Sequence, residues 1–125
     1  MRIIKQDPMI NPATVRDGRG GIFTFFPETD SIKEWSYIVT LKGTQRGHHY
    51  HKEFDEHIMF VEGSGVYLEL CDDGTELPMP VASGDCIFLP RLVPHTFVPL
   101  SDCKMVALIT KRWNDCDEPI TRAKI

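Results

Sequence analysis

The sequence lacks the features that mark secreted, membrane and disulfide-bonded proteins. Its N-terminal segment holds no apolar run of the signal-peptide kind, and no stretch approaches the roughly 20 apolar residues of a membrane-spanning helix. The four cysteines include no CxxC pair, which argues against a zinc ribbon and a dithiol redox motif. We therefore expect a cytoplasmic protein with reduced thiols and no membrane partner.

Positive charge is also scarce. The 125 residues carry 14 lysines and arginines against 18 aspartates and glutamates, which gives a net charge of −4. A nucleic-acid-binding surface needs a concentrated positive field, so the charge balance predicts no nucleic-acid partner. An acidic ligand would have to meet a local basic group.

Helical periodicity is missing as well, and strand-like runs take its place. No window of ten or more residues combines a helical period with caps. Short runs rich in β-branched and aromatic residues are separated by turns at glycine, aspartate and proline. These predicted strands cover residues 20–26, 35–41, 48–52, 58–61, 66–71, 77–81, 86–90, 95–100 and 104–110. Their spacing predicts an all-β sandwich or barrel, formed by a single domain over residues 1–125.

Three details of this arrangement follow from local sequence. The strands on either side of Glu62–Gly65 flank a short glycine-containing turn, which predicts that they pair as a hairpin. Pro78 and Pro80 predict that residues 77–81 form an edge strand. Residues 1–20 are expected to form an edge strand or arm followed by a loop, and the C-terminal segment a last strand or a tail.

The segment from Gly43 to Gly63 holds four of the five histidines. His49 and His51 are two residues apart in an extended run, so their side chains point to the same face roughly 7 Å apart. Zn–N bonds are about 2.0–2.1 Å long, and two imidazoles at this spacing can therefore close on one ion. By the same alternation Glu56 points inward with the apolar residues that follow it, whereas His48 and His57 are predicted to lie on the surface.

The spacing in this segment forms a longer pattern. Five residues separate Gly43 from His49, His51 follows in an HxH pair, four residues precede Glu56, and six more lead to Gly63. The pattern resembles the first motif of the cupin superfamily, G(X)5HXH(X)3,4E(X)6G, and matches it in full.

A second segment resembles the other cupin motif, G(X)5PXG(X)2H(X)3N. It keeps Gly84, Pro90 and His95, but Leu92 replaces the second glycine and Pro99 replaces the asparagine. The resemblance implies a cupin barrel, a jelly roll, with its metal motifs within residues 43–63 and 84–99. It also implies four ligands for one divalent metal ion: His49, His51, Glu56 and His95.

The chemistry of this ligand set agrees with the resemblance. Three neutral imidazoles and one carboxylate suit zinc, iron, manganese, nickel or cobalt, and the order of affinities alone does not choose among them. Catalytic sites of this composition leave positions open for water or substrate. A cupin whose polar cluster performs acid–base chemistry without a metal is the alternative.

The segment RGHHYHK at residues 46–52 is similar to one in nucleotide-linked 4-keto-6-deoxysugar 3,4-ketoisomerases. It is also similar to segments of deoxysugar 3,5-epimerases and of the cupin domain of capsular-polysaccharide reductases. This likeness implies an isomerase or epimerase that acts on a keto-sugar, most simply a nucleotide-linked one, by abstracting a proton alpha to the carbonyl.

The same likeness assigns roles to individual residues. Tyr37 takes the place of a tyrosine upstream of the histidines in those enzymes if one gap is allowed between Lys42-Gly43 and Arg46-Gly47, and it would donate a proton. Arg46 would bind the substrate through its diphosphate or its developing enolate. A ring nitrogen that holds a metal cannot also be the general base. His49 and His51 are therefore candidate catalytic bases only if no metal is bound.

Two other functions stay open at this point. Cupins with three histidines and one glutamate also include metal-dependent dioxygenases, and other cupins bind ligands without catalysis. In each case the partner would be a small molecule, here most simply a sugar derivative. The resemblance further implies a homodimer formed through residues 1–10.

Overall fold

The computed structural model describes residues 1–6, 15–29 and 31–125. Strands dominate these ranges, and a short 3-10 helix lies at Trp113–Asp115. The strands are β1 (Ile4–Gln6), β2 (Val15–Asp17), β3 (Gly20–Ile22), β4 (Glu34–Thr40), β5 (Arg46–Tyr50), β6 (Glu56–Glu62), β7 (Ser64–Leu70), β8 (Glu76–Ala82), β9 (Cys86–Leu89), β10 (His95–Pro99), β11 (Cys103–Ile109) and β12 (Thr121–Arg122). The all-β prediction is confirmed.

Two five-stranded antiparallel sheets form the body of the domain. The first has the order β1-β9-β6-β11-β4 and the second the order β12-β5-β10-β7-β8, while β2 and β3 pair as a separate hairpin. Apart from β7 and β8, the strands that are neighbours within each of these sheets are not consecutive in the chain, which is the jelly-roll arrangement of a cupin barrel.

The core lies between the inner faces of the two sheets. Phe60 from the first sheet contacts Tyr67 and Phe97 from the second, with ring centroids 6.0 and 5.5 Å apart. Ile58 and Phe60 are 4% and 2% exposed, which confirms the alternation predicted for this strand. The apolar rings and branched side chains fill one part of the interior, and the other part is left to the polar cluster described below.

The hairpin predicted around Glu62–Gly65 is wrong. β6 pairs with β9 and β11, whereas β7 pairs with β8 and β10 in the other sheet. Gly63 adopts a φ of +97°, and a Cβ there would clash with the carbonyl oxygen of Asp102. The glycine therefore turns the chain from one sheet into the other, and a local turn signal cannot distinguish this corner from a hairpin.

Other strand predictions hold more closely. β8 is an edge strand, as Pro78 and Pro80 predicted. β1 is also an edge strand, in agreement with the expectation for the N-terminal segment, although residues 7–14 lie outside the described ranges. The strand predicted at residues 20–26 is only partly correct, because β3 ends at Ile22. In the C-terminal segment, β12 pairs with β5.

No helix among residues 1–6, 15–29 and 31–125 is long and apolar enough to span a bilayer.

Candidate metal centre

Three histidines converge inside the barrel at the end of the second sheet. His49 lies on β5 and His95 on the neighbouring strand β10, where the two residues are paired in register. His51 follows directly after β5. The ring centroids lie 4.8 to 5.2 Å apart, and one nitrogen from each ring falls within 4.8 Å of the other two. Separate segments thus deliver three of the four predicted ligands to one point.

Backbone carbonyls fix the orientation of two of these rings. His51 Nδ1 lies 3.0 Å from the carbonyl oxygen of Pro119, and His95 Nδ1 lies 2.9 Å from that of Val93. A carbonyl oxygen only accepts, so each Nδ1 carries the ring proton and donates it. Nε2 of each ring is left with its lone pair, which is the form that binds a metal.

The Nε2 atom of His51 is a buried ring nitrogen with no hydrogen-bond partner in the part of the chain that the structure describes. Such an atom is costly unless something binds it. Glu56 lies beside it, with Oε1 at 3.5 Å, but the carboxylate is not among the atoms that lie within 4.8 Å of one another. A buried ring nitrogen without a hydrogen-bond partner, in a set of three imidazoles with a carboxylate nearby, fits a divalent metal ion.

Burial keeps His49 and His95 uncharged. Together with the neighbouring His51, burial lowers the pKa of His49 to about 4 and that of His95 to about 3. At neutral pH these rings are therefore neutral, and their lone pairs are available.

The local sequence explains why the strands approach so closely here. Gly47 adopts a φ of +121°, and a Cβ at this position would lie 2.5 Å from the carbonyl oxygen of His95. The backbone of β5 can therefore pack against β10 only with glycine at this position. The hydroxyl of Thr96 accepts the backbone N–H of His48 at 2.9 Å, next to a register shift between His95 and Thr96.

A cavity of about 350 Å³ surrounds the cluster. Its deeper wall is apolar, and its exposed rim carries polar and cationic groups together with an indole ring. The apolar wall is formed by Ile38, Ile58, Tyr67, Phe97 and Met105. The exposed rim is formed by Gln45, Arg46, Trp113 and Arg122. A ligand that enters would meet cations first and the histidines inside.

The structure places Arg46, the predicted substrate-binding residue, on this rim. Its Nε donates to Thr40 Oγ1 at 2.8 Å and its Nη2 to the carbonyl oxygen of Val39 at 2.7 Å. These two bonds hold the guanidinium in a fixed position at the entrance.

The structure does not bring Tyr37, the predicted proton donor, to the cluster. Along β4 the side chains alternate, so Ile38 lines the cavity while Tyr37 stands on the outer face of the sheet and is 62% exposed. The likeness to the ketoisomerases placed Tyr37 by allowing one gap in the spacing, and a shift of one residue on a strand reverses the face.

A different tyrosine lies inside the cavity. Tyr67 on β7 is 3% exposed, and its ring centroid is 6.4 Å from that of His95. Burial raises the pKa of its hydroxyl well above the usual value, and the charge of Glu56 adds to this effect. No motif pointed to this residue, and the alternation along β7 pointed the other way: Tyr67 and Glu69 are buried, whereas the apolar Val66, Leu68 and Leu70 are only partly buried.

The C-terminal segment also contributes to the site, although no motif indicated this. The carbonyl oxygen of Pro119 orients His51. Arg122 lies opposite His49 in the pairing of β12 with β5, and it lines the rim of the cavity. Lys52 Nζ bonds Glu118 at 2.9 Å and holds this segment against the barrel. No local pattern in a short polar stretch of sequence indicates such a contact.

The prediction of two surface histidines is wrong for His57 and only partly right for His48. His57 faces away from the cavity as expected, but it is 5% exposed because residues 23–29 cross over it. His48 is half-buried with a φ of +54°, and its Nε2 lies 3.0 Å from Gln45 Oε1. Alternation predicts which face of a sheet a side chain lies on, but not whether another segment of the chain covers that face.

The fold and the position of the cluster make this a cupin-fold protein, as the motif spacing indicated. No protein family and no curated protein matches the chain by sequence. Among solved structures, it is similar to the 3,4-ketoisomerase of Helicobacter canadensis, with a TM-score of 0.78 and 18% identity over 98% of this chain and 91% of the other.

Two further structures are similar. A double mutant of the QdtA 3,4-ketoisomerase from Thermoanaerobacterium thermosaccharolyticum, in complex with TDP, gives a TM-score of 0.77 and 18% identity over 96% of this chain and 86% of that one. The capsular polysaccharide assembling protein CapF of Staphylococcus aureus gives 0.68 and 20% identity over 90% of this chain. The chain spans 32% of the length of CapF.

Proposed function

We propose that this protein is a metal-binding cupin that isomerises or epimerises a keto-sugar, most simply a nucleotide-linked one. The observation that carries the proposal is the arrangement of the cavity: neutral imidazoles and a protonated tyrosine line its interior, and two arginines lie on its rim. The likeness in fold to 3,4-ketoisomerases, one of them in complex with TDP, supports the same activity.

His49, His51 and His95 would hold the metal, with Glu56 as the fourth ligand. When bound, a divalent ion such as zinc, iron, manganese, nickel or cobalt acts as a Lewis acid on a carbonyl or enediolate oxygen. The carbonyls of Pro119 and Val93 prepare the site, because they leave the Nε2 lone pairs of His51 and His95 free.

Tyr67 is the proton donor in this proposal. Enolisation of a ketone leaves negative charge on its oxygen, and a nearby O–H that stays protonated at neutral pH can hydrogen-bond or protonate that oxygen. The raised pKa of the buried hydroxyl keeps it protonated. Tyr37 is not assigned this role, since it stands on the other face of the first sheet.

The base must also lie in the cavity. Glu56 provides a carboxylate there whose side chain is 13% exposed, and it would be the base where the three histidines alone hold the ion. In protein without metal, the pair His49 and His51 supplies a second candidate, because their lone pairs are then free to take the alpha proton.

Arg46 and Arg122 support a phosphorylated substrate. They bring positive charge to the entrance of the cavity in a chain whose net charge is −4. Arginine matches the geometry of phosphate oxygens and keeps its charge at all physiological pH values. The sugar would then extend inward, towards the histidines and Tyr67.

Deuterium exchange tests the proposed activity. Incubation of the purified protein in D₂O with dTDP- or UDP-linked 4-keto-6-deoxysugars should introduce deuterium at C3, as measured by NMR of the sugar. The protein would be reconstituted with each candidate metal in turn. If no sugar of the panel then incorporated deuterium, the proposal would be contradicted.

We further propose that the protein is a homodimer. The outer face of the first sheet presents Trp35, Tyr37, Val39 and Val61, which are 74%, 62%, 44% and 53% exposed. The hairpin of β2 and β3 is exposed along its whole length, and an isolated two-stranded hairpin is only marginally stable. A second copy of the chain would cover both features.

Analytical ultracentrifugation at micromolar concentration tests this assembly. The native protein should sediment as a dimer, and Tyr37→Asp should shift it towards the monomer, because a charge would be buried at the interface. A native protein that sediments as a monomer would contradict the proposal.

We further propose that the protein is cytoplasmic. All four cysteines are free, and two of them, Cys86 and Cys103, are buried as thiols. Reduced cysteines are typical of reducing compartments. Fractionation of cells that express the protein at its native level would check this location.

A further inference from the structure

The two arginines on the rim of the cavity differ from most other arginines of the chain in what they contact. Arg46 donates only to a hydroxyl and a carbonyl, and Arg122 Nη1 donates to the carbonyl oxygen of Gly47 at 3.4 Å. Neither forms an ion pair within residues 1–6, 15–29 and 31–125. Four other arginines each pair with an aspartate, and these pairs are Arg2–Asp72, Arg19–Asp17, Arg91–Asp55 and Arg112–Asp115. The rim charges are therefore left uncompensated, which favours an anionic ligand.

Thr40, the last residue of β4, holds Arg46 from the opposite sheet. Its side chain is 1% exposed, and its Oγ1 accepts the Nε–H of Arg46 at 2.8 Å. The carbonyl oxygen of Val39 accepts an N–H of Nη2 at 2.7 Å. Both acceptors are neutral, so they fix the guanidinium without cancelling its charge.

These two bonds use one edge of the planar guanidinium and leave another. Nε–H and one N–H of Nη2 lie side by side on the edge that Thr40 and Val39 occupy. The edge formed by Nη1 and the second N–H of Nη2 has no hydrogen-bond partner in the part of the chain that the structure describes. Two parallel N–H groups of this kind match two oxygens of one phosphate. Arg46 is exposed and lines the cavity, so a ligand at the entrance can reach it.

We propose that Thr40 is a positioning residue: with the carbonyl of Val39, it directs the free edge of Arg46 towards two non-bridging oxygens of one phosphate of the substrate. This inference rests on the proposed function, because it takes the substrate to be phosphorylated. Each phosphate in the diphosphate of a nucleotide-linked sugar has two such oxygens. Because Thr40 orders the arginine before the ligand arrives, binding does not have to supply the entropy of ordering that side chain.

Calorimetry with dTDP and UDP tests the proposal, since their binding requires no turnover. Arg46→Lys keeps the charge but loses the paired N–H groups, and it should weaken binding at least about tenfold, the loss of one charged hydrogen bond. Thr40→Val keeps the size of the side chain but removes the acceptor. It should weaken binding about two- to tenfold, because the ligand must then order the arginine. Thr40→Ser keeps the hydroxyl and should bind like the native protein, as should the control Arg16→Lys on β2.

Two further measurements separate positioning from general damage to the fold. In an Arg46→Met background no guanidinium remains, so Thr40→Val should cause no additional loss of affinity, whereas a purely structural effect would add. NMR of the native protein with ¹⁵N-labelled arginine needs no variant. On addition of dTDP the Nε–H signal of Arg46 should stay nearly in place, because Thr40 still accepts it, while rotation about the Cζ–Nη bonds should slow.

Several results would overturn this role for Thr40. These are native affinity in Thr40→Val, equal losses in Thr40→Val and Thr40→Ser, additive losses in the double variant, a large shift of the Arg46 Nε–H signal, and no binding of either nucleotide to the native protein. The outcome is distinguishable from that of the deuterium-exchange experiment. Binding of dTDP with the expected losses, but without exchange in any sugar, would contradict the isomerase activity alone. Exchange together with native affinity in Thr40→Val would contradict the positioning role alone.

Discussion

The two faces of the first sheet differ at the end that holds the histidine cluster. There the inner side borders the cavity and contributes the carboxylate of Glu56, while the outer side presents Trp35 and Tyr37 to solvent. Buried polar groups without partners call for a ligand, and an exposed apolar patch calls for a protein partner. Neighbouring residues on one strand can therefore serve chemistry and assembly, and experiments that treat the two faces separately test this division.

The largest difference between the faces is expected for the two tyrosines. Tyr67→Phe removes the phenolic hydroxyl that is proposed to donate the proton. The substitution should lower the rate of isomerisation about 10²- to 10⁴-fold, the usual contribution of a general acid. Tyr37→Phe keeps the ring on the outer face and should leave the rate nearly unchanged. Steady-state kinetics of the two variants measures this difference in rate. A large loss of rate in Tyr37→Phe and little loss in Tyr67→Phe would assign the catalytic role to Tyr37.

The next effect concerns metal content. His95→Ala removes an imidazole from the inner cluster and should weaken metal binding more than about 100-fold, a larger loss than the 10- to 100-fold caused by changes around the ligands. His57→Phe alters a histidine on the opposite side of the sheet and is the matched control. Elemental analysis of both purified proteins measures the outcome, and full metal occupancy in His95→Ala would remove it from the ligand set.

The pH dependence of stability should distinguish the inner histidines from ordinary surface ones. Burial holds the pKa of His95 at about 3 in the folded state, below its usual 6.5. Between these values the unfolded chain binds the proton and the folded chain does not, so stability falls as pH falls. For His95 the loss is about 2 kcal/mol between pH 6.5 and 4.5, at about 1.4 kcal/mol per fully titrated pH unit.

Urea unfolding of metal-free protein across this range checks the slope. The free energy of unfolding should decline more steeply in the native protein than in a His95→Gln variant, which has no titrating ring at this position. Parallel pH profiles for the two proteins would show that His95 is not held neutral by burial.

The smallest effect is expected from the C-terminal support of the cluster. Glu53 accepts Lys111 Nζ at 3.0 Å and the backbone N–H of Glu118 at 2.8 Å, and so holds the segment whose Pro119 carbonyl orients His51. Glu53→Gln should weaken metal binding up to about tenfold while the fold is retained. Competition with a chelator measures the change, and Glu62→Gln, on the exposed end of β6, serves as the control.

The sequence was informative where the interaction depends on spacing within a segment. The interval between His49 and His51 predicted that their rings share a face, because strand alternation converts spacing into direction. The resemblance to the second cupin motif added His95, and the three rings do converge. The same alternation predicted that Ile58 and Phe60 face inward.

Prediction from the sequence failed where the outcome depends on distant parts of the chain. Gly63 was expected to form a hairpin turn, but the strands on either side join different sheets. Arg122 and Pro119 reach the site through the pairing of β12 with β5, which no local pattern indicates. Tyr37 was placed by a likeness with a gap, and a one-residue error on a strand puts a side chain on the wrong face.

The bond between His51 and Pro119 has a consequence for how the protein is made. The two residues are 68 positions apart, and Pro119 follows all three histidines along the chain. On the ribosome, the barrel strands that carry His49, His51 and His95 leave the exit tunnel before the carbonyl that orients His51. The cluster is therefore unfinished while most of the barrel is already available to fold, and a nascent chain acquires its full ligand geometry only after residue 119 has emerged.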